Sequence, residues 1–258
     1  MNAVDAMNVS DPGPFDIIGD VHGCYDELHQ LLTRLGYVIG ANGTDVTLSH
    51  PRKRRVVFVG DLVDRGPKSP EVLRLVMDAN AAGIAFCVQG NHDDKLVRKL
   101  RGRNVKISHG LAETLAQLET QTDVFKRRVA DFLESLPTHY LLDERRLVVA
   151  HAGLREEYHG KQSGAARAFS LYGETTGETD EFGSPIRYNW AQDYEGQATV
   201  VYGHTPVREP EWLNNTICVD TGCVYGGALT ALRYPERELV SVPAAKVYYE
   251  AARPFRNG

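Results

Sequence analysis

Five times along this chain a short apolar run stops and hands over a side chain of the kind that binds metal ions, and that recurrence constrains the fold more than any other feature. The sharpest case is Val56 to Gly66, VVFVGDLVDRG. Its apolar run is too short and too β-branched for a helix, so it reads as a buried strand ended by Gly60. Asp61 then sits at a strand end, where open α/β sheets bind their ligands. PFDIIGDVHG places Asp20 and His22 just past a first strand, and IAFCVQGNHD places Asn91 and His92 just past a third. Later, RLVVA leads to His151 and ATVVY leads to Gly203 and His204.

The segments between these strands read as helices. Tyr25 to Leu35 repeats leucine at a helical period and ends at Gly36. Ser69 to Ala82 opens with Ser69 as expected N-cap and Pro70 at the first helical position. The resulting β-α-β-α-β order predicts a parallel sheet with right-handed crossovers. IGANGTDVTLSHP reads as a short hairpin or loop. Asp93 to Arg101, Leu111 to Glu119 and Val124 to Leu136 read as a helical cap on the sheet, and the C-terminal stretch reads as a β meander. The expectation is an α/β fold of two packed sheets whose strand ends converge on one site.

Length fits one large α/β domain over 14–258, preceded by a disordered lead-in over 1–13. That lead-in has neither the basic start nor the apolar stretch of a signal peptide. No run approaches the roughly eighteen apolar residues of a spanning helix, and the net charge of -5 makes no general case for nucleic acid or membrane. Cys24, Cys87, Cys218 and Cys223 form no CxxC pair, which suits reduced thiols and a cytoplasmic location.

Carboxylate, amide oxygen and imidazole are the donors that hard and borderline divalent cations take. Two neighbouring ions need a bridging ligand, and a carboxylate bridges where an imidazole does not. Asp61 is the natural bridge, with Asp20 and His22 for one ion and Asn91, His151 and His204 for the other. Such a pair activates water and holds phosphoryl oxygens during an in-line displacement. Arg65 would clamp phosphate oxygens, with Arg187 as a candidate second clamp, and His92, oriented by Asp64, would protonate the leaving oxygen.

GDVHG at Gly19 to Gly23, GDLVDRG at Gly60 to Gly66 and GNHD at Gly90 to Asp93 resemble the three signatures of the calcineurin-like metallophosphoesterases, in the branch that contains the phosphoprotein phosphatases. His151 in VVAHAG and His204 in VYGHTP match the two later metal histidines. The resemblance runs from Phe15 through nearly the whole chain. It implies a two-sheet sandwich flanked by helices, a binuclear centre of manganese, iron or zinc, and direct attack of metal-activated water without a phosphoenzyme. One departure is Asp93, where the third signature commonly ends in Glu.

HGLAETLAQLE, SLYGETTGETDEFGSPIRYNW, YGHTPVREPEW and CVDTGCVYGGALTALRYPERELVSV are further similar to the phosphatase module of bacterial polynucleotide kinase-phosphatase. This implies removal of 2′-phosphates and 2′,3′-cyclic phosphates from RNA 3′ ends with manganese or nickel, beside a kinase and a ligase, and brings Asp220 into the substrate site. No P-loop occurs, so kinase activity has no support here. A serine/threonine protein phosphatase and a diadenosine tetraphosphate hydrolase share the same metal motifs. A catalytically quiet RNA-end or partner-binding module is a reading from another class, opposed by the complete ligand set.

Lys95, Arg98, Lys99, Arg101, Arg103 and Lys106 follow the GNHD signature and would suit either a nucleic-acid backbone or a solvated helix face. The basic residues Arg52 to Arg55 lead into a strand at the end away from the motif and read as a solvated cluster, and the acidic loop Glu174 to Glu181 reads as a solvated or lid loop. His109, His139 and His159 fit no ligand pattern. Tyr188 and Trp190 read as packing residues, with base stacking as the alternative. Asp220, before Thr-Gly, reads either as ordinary turn chemistry or as a carboxylate orienting a metal histidine.

Overall fold

Alternation along the short strands decides the architecture of the computed structural model, which describes residues 10–43, 45–181, 185–251 and 255. In β1 (Phe15–Ile18), Phe15 and Ile17 enter one apolar cluster while Ile18 enters another. A strand sends successive side chains to opposite faces, so β1 is covered on both. The helix α1 (Tyr25–Leu35) lays Leu28, Leu31, Leu32 and Leu35 on the outer face and ends at Gly36 in the left-handed conformation. The expected hairpin forms as β2 (Val38–Asn42) and β3 (Asp45–Ser49). Then come β4 (Arg55–Phe58), α2 (Ser69–Ala81), β5 (Ala85–Cys87), α3 (Asn91–Leu100), α4 (Leu111–Glu119) and α5 (Asp123–Ser135).

The second half runs β6 (His139–Leu142), β7 (Leu147–Ala150), α6 (Gly164–Tyr172), β8 (Thr175–Thr179), β9 (Pro185–Arg187), β10 (Thr199–Tyr202), β11 (Trp212–Leu213), β12 (Thr216–Cys218), β13 (Asp220–Thr221), β14 (Ala228–Tyr234) and β15 (Glu238–Pro243). One sheet has the order β13-β14-β1-β4-β5, with β15 on the free side of β14, and the other has the order β11-β12-β10-β7-β6. The expected parallel core is present: Ile18 pairs with Phe58, and Phe58 with Cys87. In the second sheet β7, β10 and β12 are also parallel. Phe15, Val57 and Leu232 from one sheet meet Leu147, Val149 and Ile217 from the other in a dry layer between them. Helices cover the outer face of the first sheet, while Phe169, Trp190 and Tyr194 cover that of the second.

Several boundaries differ from expectation. Lys68, not Ser69, occupies the N-cap of α2; Ser69 is helical and its hydroxyl lies 3.3 Å from that of Thr114. Helix α3 starts at Asn91, not Asp93, because Gly90 is extended and the chain turns helical immediately after it. The acidic loop is in part a two-stranded hairpin, β8 with β9, and its residues 182–184 lie outside the described residues. Residues 1–9 of the expected lead-in also lie outside them; Asp11 accepts the Asp143 N–H through its carbonyl and pairs its carboxylate with Arg55. The Arg52 to Arg55 cluster is not uniformly solvated, since Arg54 is buried against Asp16 at 3.0 Å and reaches Glu236 at 2.7 Å. All four cysteines are buried thiols. Among the described residues no helix is long and apolar enough to cross a membrane.

Candidate metal centre

The parallel strands of both sheets end on the same side, and their C-terminal ends carry the singled-out residues. Asp20 and His22 follow β1, Asp61, Asp64 and Arg65 follow β4, and Asn91 and His92 form the first turn of α3 beyond β5. From the second sheet, His151 follows β7 and His204 follows β10, while Asp220 lies in β13. Close backbone approach is what brings the loops together. A Cβ on Gly203 would lie 2.0 Å from Asp20 Oδ1, and one on Gly90 would lie 2.2 Å from Asp61 Oδ1. Only glycine lets these turns meet.

Asp61 is central. Its Oδ2 lies 3.6 Å from His22 Nε2 and 3.5 Å from His151 Nε2, and its Oδ1 accepts the His92 N–H at 2.9 Å. His151 Nε2 is 2.9 Å from Asn91 Oδ1 and 3.0 Å from His204 Nδ1. His22, Asp61 and His92 form one group whose donor atoms lie within 4.8 Å of one another, and Asp61, His151 and His204 form a second. Asp61 belongs to both. Asp20 stands outside both groups and accepts the His204 N–H at 3.1 Å.

Tautomers show what these groups lack. His151 Nδ1 faces the Val59 carbonyl at 3.0 Å, an acceptor, so Nδ1 carries the proton. Burial pushes the ring's pKa down to about 3, so it is neutral and its Nε2 presents a lone pair. That lone pair faces Asn91 Oδ1, Asp61 Oδ2 and His204 Nδ1. Oxygen and nitrogen lone pairs directed at one another repel unless a cation lies among them. His204 Nδ1 can relieve one contact by carrying a proton, but its Nε2 is buried without a hydrogen-bond partner, so one nitrogen stays unsatisfied either way. The donor set therefore fits a divalent cation held by Asp61, Asn91, His151 and His204.

The other half repeats the logic. His22 Nδ1 donates to the Val63 carbonyl at 2.7 Å, and burial followed by the Arg65 charge pushes its pKa well down, leaving a lone pair on Nε2. His92 Nδ1 donates to Asp64 Oδ2 at 2.6 Å, and burial pushes that ring's pKa well down too. Arg65 answers both lone pairs, with Nη1 at 2.5 Å from His22 Nε2 and Nη2 at 2.8 Å from His92 Nε2. Burial raises the Asp61 and Asp220 carboxyls to about 7 and Asp64 to about 8. Asp20 is raised by burial and then by the charges of Asp220 and Asp61. So many acids crowded together call for positive charge beyond one guanidinium.

Arg187 at the end of β9 is close enough for its charge to depress both His151 and His204. It also lines a cleft that opens beside His204. The sequence left this cleft unread, because its walls come from β9, the turn after it, β10, the segment before β11 and β12. Trp190 is a packing residue, buried against Phe169, Tyr194 and Tyr202, whereas Tyr188 is 41% exposed in the cleft. The basic cluster after GNHD is partly engaged within the protein: Lys95 donates to Ser108, Arg98 pairs with Asp94, and Arg101 pairs with Asp131 and Glu134. His139 is buried and accepts the Gly160 N–H, His159 packs beside Tyr194, and His109 stays apart from the ligand groups.

Residues 13–236 match the family model described as calcineurin-like phosphoesterase. The asymmetrical bis(5′-nucleosyl)-tetraphosphatase PrpE of Anoxybacillus flavithermus is 50% identical over 246 residues, covering 93% of this chain and 99% of that one. A solved structure named a "putative diadenosine tetraphosphatase" superposes with a TM-score of 0.66 at 29% identity, covering 92% of this chain and 97% of the other. A serine/threonine phosphatase from Saccharomyces cerevisiae shares the fold, with a TM-score of 0.61 at 17% identity over 93% of this chain and 80% of its own. The similarity to a polynucleotide kinase-phosphatase module finds no counterpart in these names, and neither do RNA ends or kinase and ligase partners.

Proposed function

Because the chain belongs to the calcineurin-like phosphoesterase family and is a metal-dependent phosphoester hydrolase, we propose that it splits a bis(5′-nucleosyl) tetraphosphate asymmetrically, into a nucleoside triphosphate and a nucleoside monophosphate. The observation that carries this reading is the 50% identity, over 93% of this chain and 99% of the other, with a relative named for that reaction. The RNA-end reading gives way to what stood as its alternative.

In this reading Asp20, His22 and Asp61 hold one divalent ion, and Asp61, Asn91, His151 and His204 hold the other, with manganese the metal proposed. Bound there, the ions supply Lewis acidity and an activated water. Arg65 binds the phosphate chain. To do so it swings off His22 Nε2, within a span set by Tyr225, whose ring lies 5.3 Å from its guanidinium carbon. Arg187 holds the chain on the His151 and His204 side. With Arg65 drawn onto phosphate, its charge no longer helps to hold the ring neutral, so His92 Nε2 takes up a proton and gives it to the leaving oxygen while Asp64 keeps the ring in place through Nδ1. Asp220, whose carboxylate accepts the Gly222 N–H at 3.0 Å, lies near Asp20 and is proposed to shape the substrate side of that ion's surroundings.

The test is product analysis on manganese-loaded protein given diadenosine tetraphosphate, an RNA 2′,3′-cyclic phosphate end and a phosphoserine peptide in parallel. ATP and AMP in equal amounts, formed faster than phosphate is released from either other substrate, is the expected result. Two ADP, or a preference for RNA or peptide, would overturn the reading.

A further inference from the structure

Beside the metal centre the cleft changes character. Arg187 and His204 stand at the end it shares with the centre, and the rest is walled by Tyr188, Trp190, Val207 and Leu213, with Asn189 and Glu211 adding polar groups. Tyr188 and Leu213 are 41% and 37% exposed, and both large apolar side chains line this one cleft. Two such residues left uncovered in one concavity mark a binding surface better than scattered exposure does. Tyr188 is also held in place: its hydroxyl donates to Asp193, and the Arg155 guanidinium lies 5.8 Å from the ring centre. Glu174 anchors that arginine in turn, at 2.5 Å.

We infer that this cleft is the nucleoside subsite, in which the ring of Tyr188 stacks a base of the substrate while the attached phosphates run past Arg187 to the metal centre. The inference rests on the proposed function and adds a residue and a place to it. Charge supports the direction of binding. Among the described residues that line the cleft, Arg187 is the one arginine and shares it with His204 of the metal centre, whereas Glu174 and Glu211 would repel a phosphate chain laid along the walls. A base is uncharged, flat and apolar on its faces, and polar at its edge. It meets both needs of the cleft: a partner for an anchored aromatic ring, and hydrogen-bonding groups for Asn189 and Glu211. A tyrosine already fixed through its hydroxyl loses little freedom when it stacks.

Calorimetric titration of the manganese-loaded protein with adenosine 5′-monophosphate and with ribose 5-phosphate isolates the contribution of the base. The two carry the same sugar phosphate, so the nucleotide should bind about tenfold tighter or better. Tyr188→Ala should bring the nucleotide down to the affinity of ribose 5-phosphate, and Tyr188→Phe, which keeps the ring, should restore most of the difference. Equal affinities in the native protein, no measurable nucleotide binding, or an unchanged nucleotide affinity in Tyr188→Ala would overturn the subsite. Failure to cleave diadenosine tetraphosphate would instead remove the proposed function, a separate result because this titration reads binding alone.

Discussion

His22, Asp61, Asp64, Arg65 and His204 all have positive φ, at 42°, 50°, 74°, 71° and 74°. A non-glycine residue held there costs about 1–3 kcal/mol and persists only where its surroundings fix it. These side chains are therefore placed by backbone that would relax without the buried strands beneath. Asp and His tolerate the left-handed region better than most residues, which is a conformational reason, beside the chemical one, for their use at these turns. The clearest consequence concerns His92. A phosphate departing from a phosphoanhydride is a much weaker base than a departing alkoxide, so it needs less help from a proton donor. In steady-state kinetics His92→Ala should therefore lower kcat by about a hundredfold or more on an alkyl phosphate ester and by clearly less on diadenosine tetraphosphate, with KM little changed. Equal losses on both substrates would contradict the proton-donor role. The residue types of the centre were legible because metal chemistry admits few donors. Their tautomers were not, since these depend on the carbonyls of Val59 and Val63, which no side-chain pattern announces.

Elements matter here through their ends. Helix α3 begins two residues earlier than its hydrophobic period suggests, and this puts Asn91 and His92 on a helical turn, where their spacing is fixed. Asp93 explains how. Its carboxylate accepts the Gly90 N–H at 3.0 Å and the Leu62 N–H at 3.1 Å, tying the start of α3 to the loop after β4. The aspartate that departs from the common glutamate is thus a buried tie between the loop that carries Asp61 and the helix start that carries Asn91. Asp93→Ala leaves two buried N–H groups without an acceptor and should destabilise the fold by about 2–4 kcal/mol, read by denaturant unfolding. A change under about 0.5 kcal/mol would mean that the tie is unimportant. The amphipathic helices could be read from sequence because their apolar stripes are long. The hairpin of β8 and β9 could not, because every residue of β8 is exposed and shows no alternation. It matters nonetheless, for it carries Arg187 to the cleft.

At the scale of the whole molecule, two sheets supply one site. Asp20, His22, Asp61, Asn91 and His92 come from the first sheet's strand ends, and His151 and His204 come from the second's. The dry layer between the sheets sets their separation, so the distances across the centre depend on packing well away from it. The five strand-end motifs announced this convergence, but not the partner order of the strands or the cleft walled by their later connections. Everything proposed for this site depends on Asp61 joining the two halves into a binuclear centre. Metal content measured by plasma mass spectrometry on manganese-saturated, desalted protein tests it most directly, with native protein and Asp61→Asn side by side and turnover followed on the same samples. Two ions per native chain are expected, and in the variant one or none, with turnover down at least about a hundredfold. One ion in the native protein, or two ions and near-native turnover in Asp61→Asn, would contradict it.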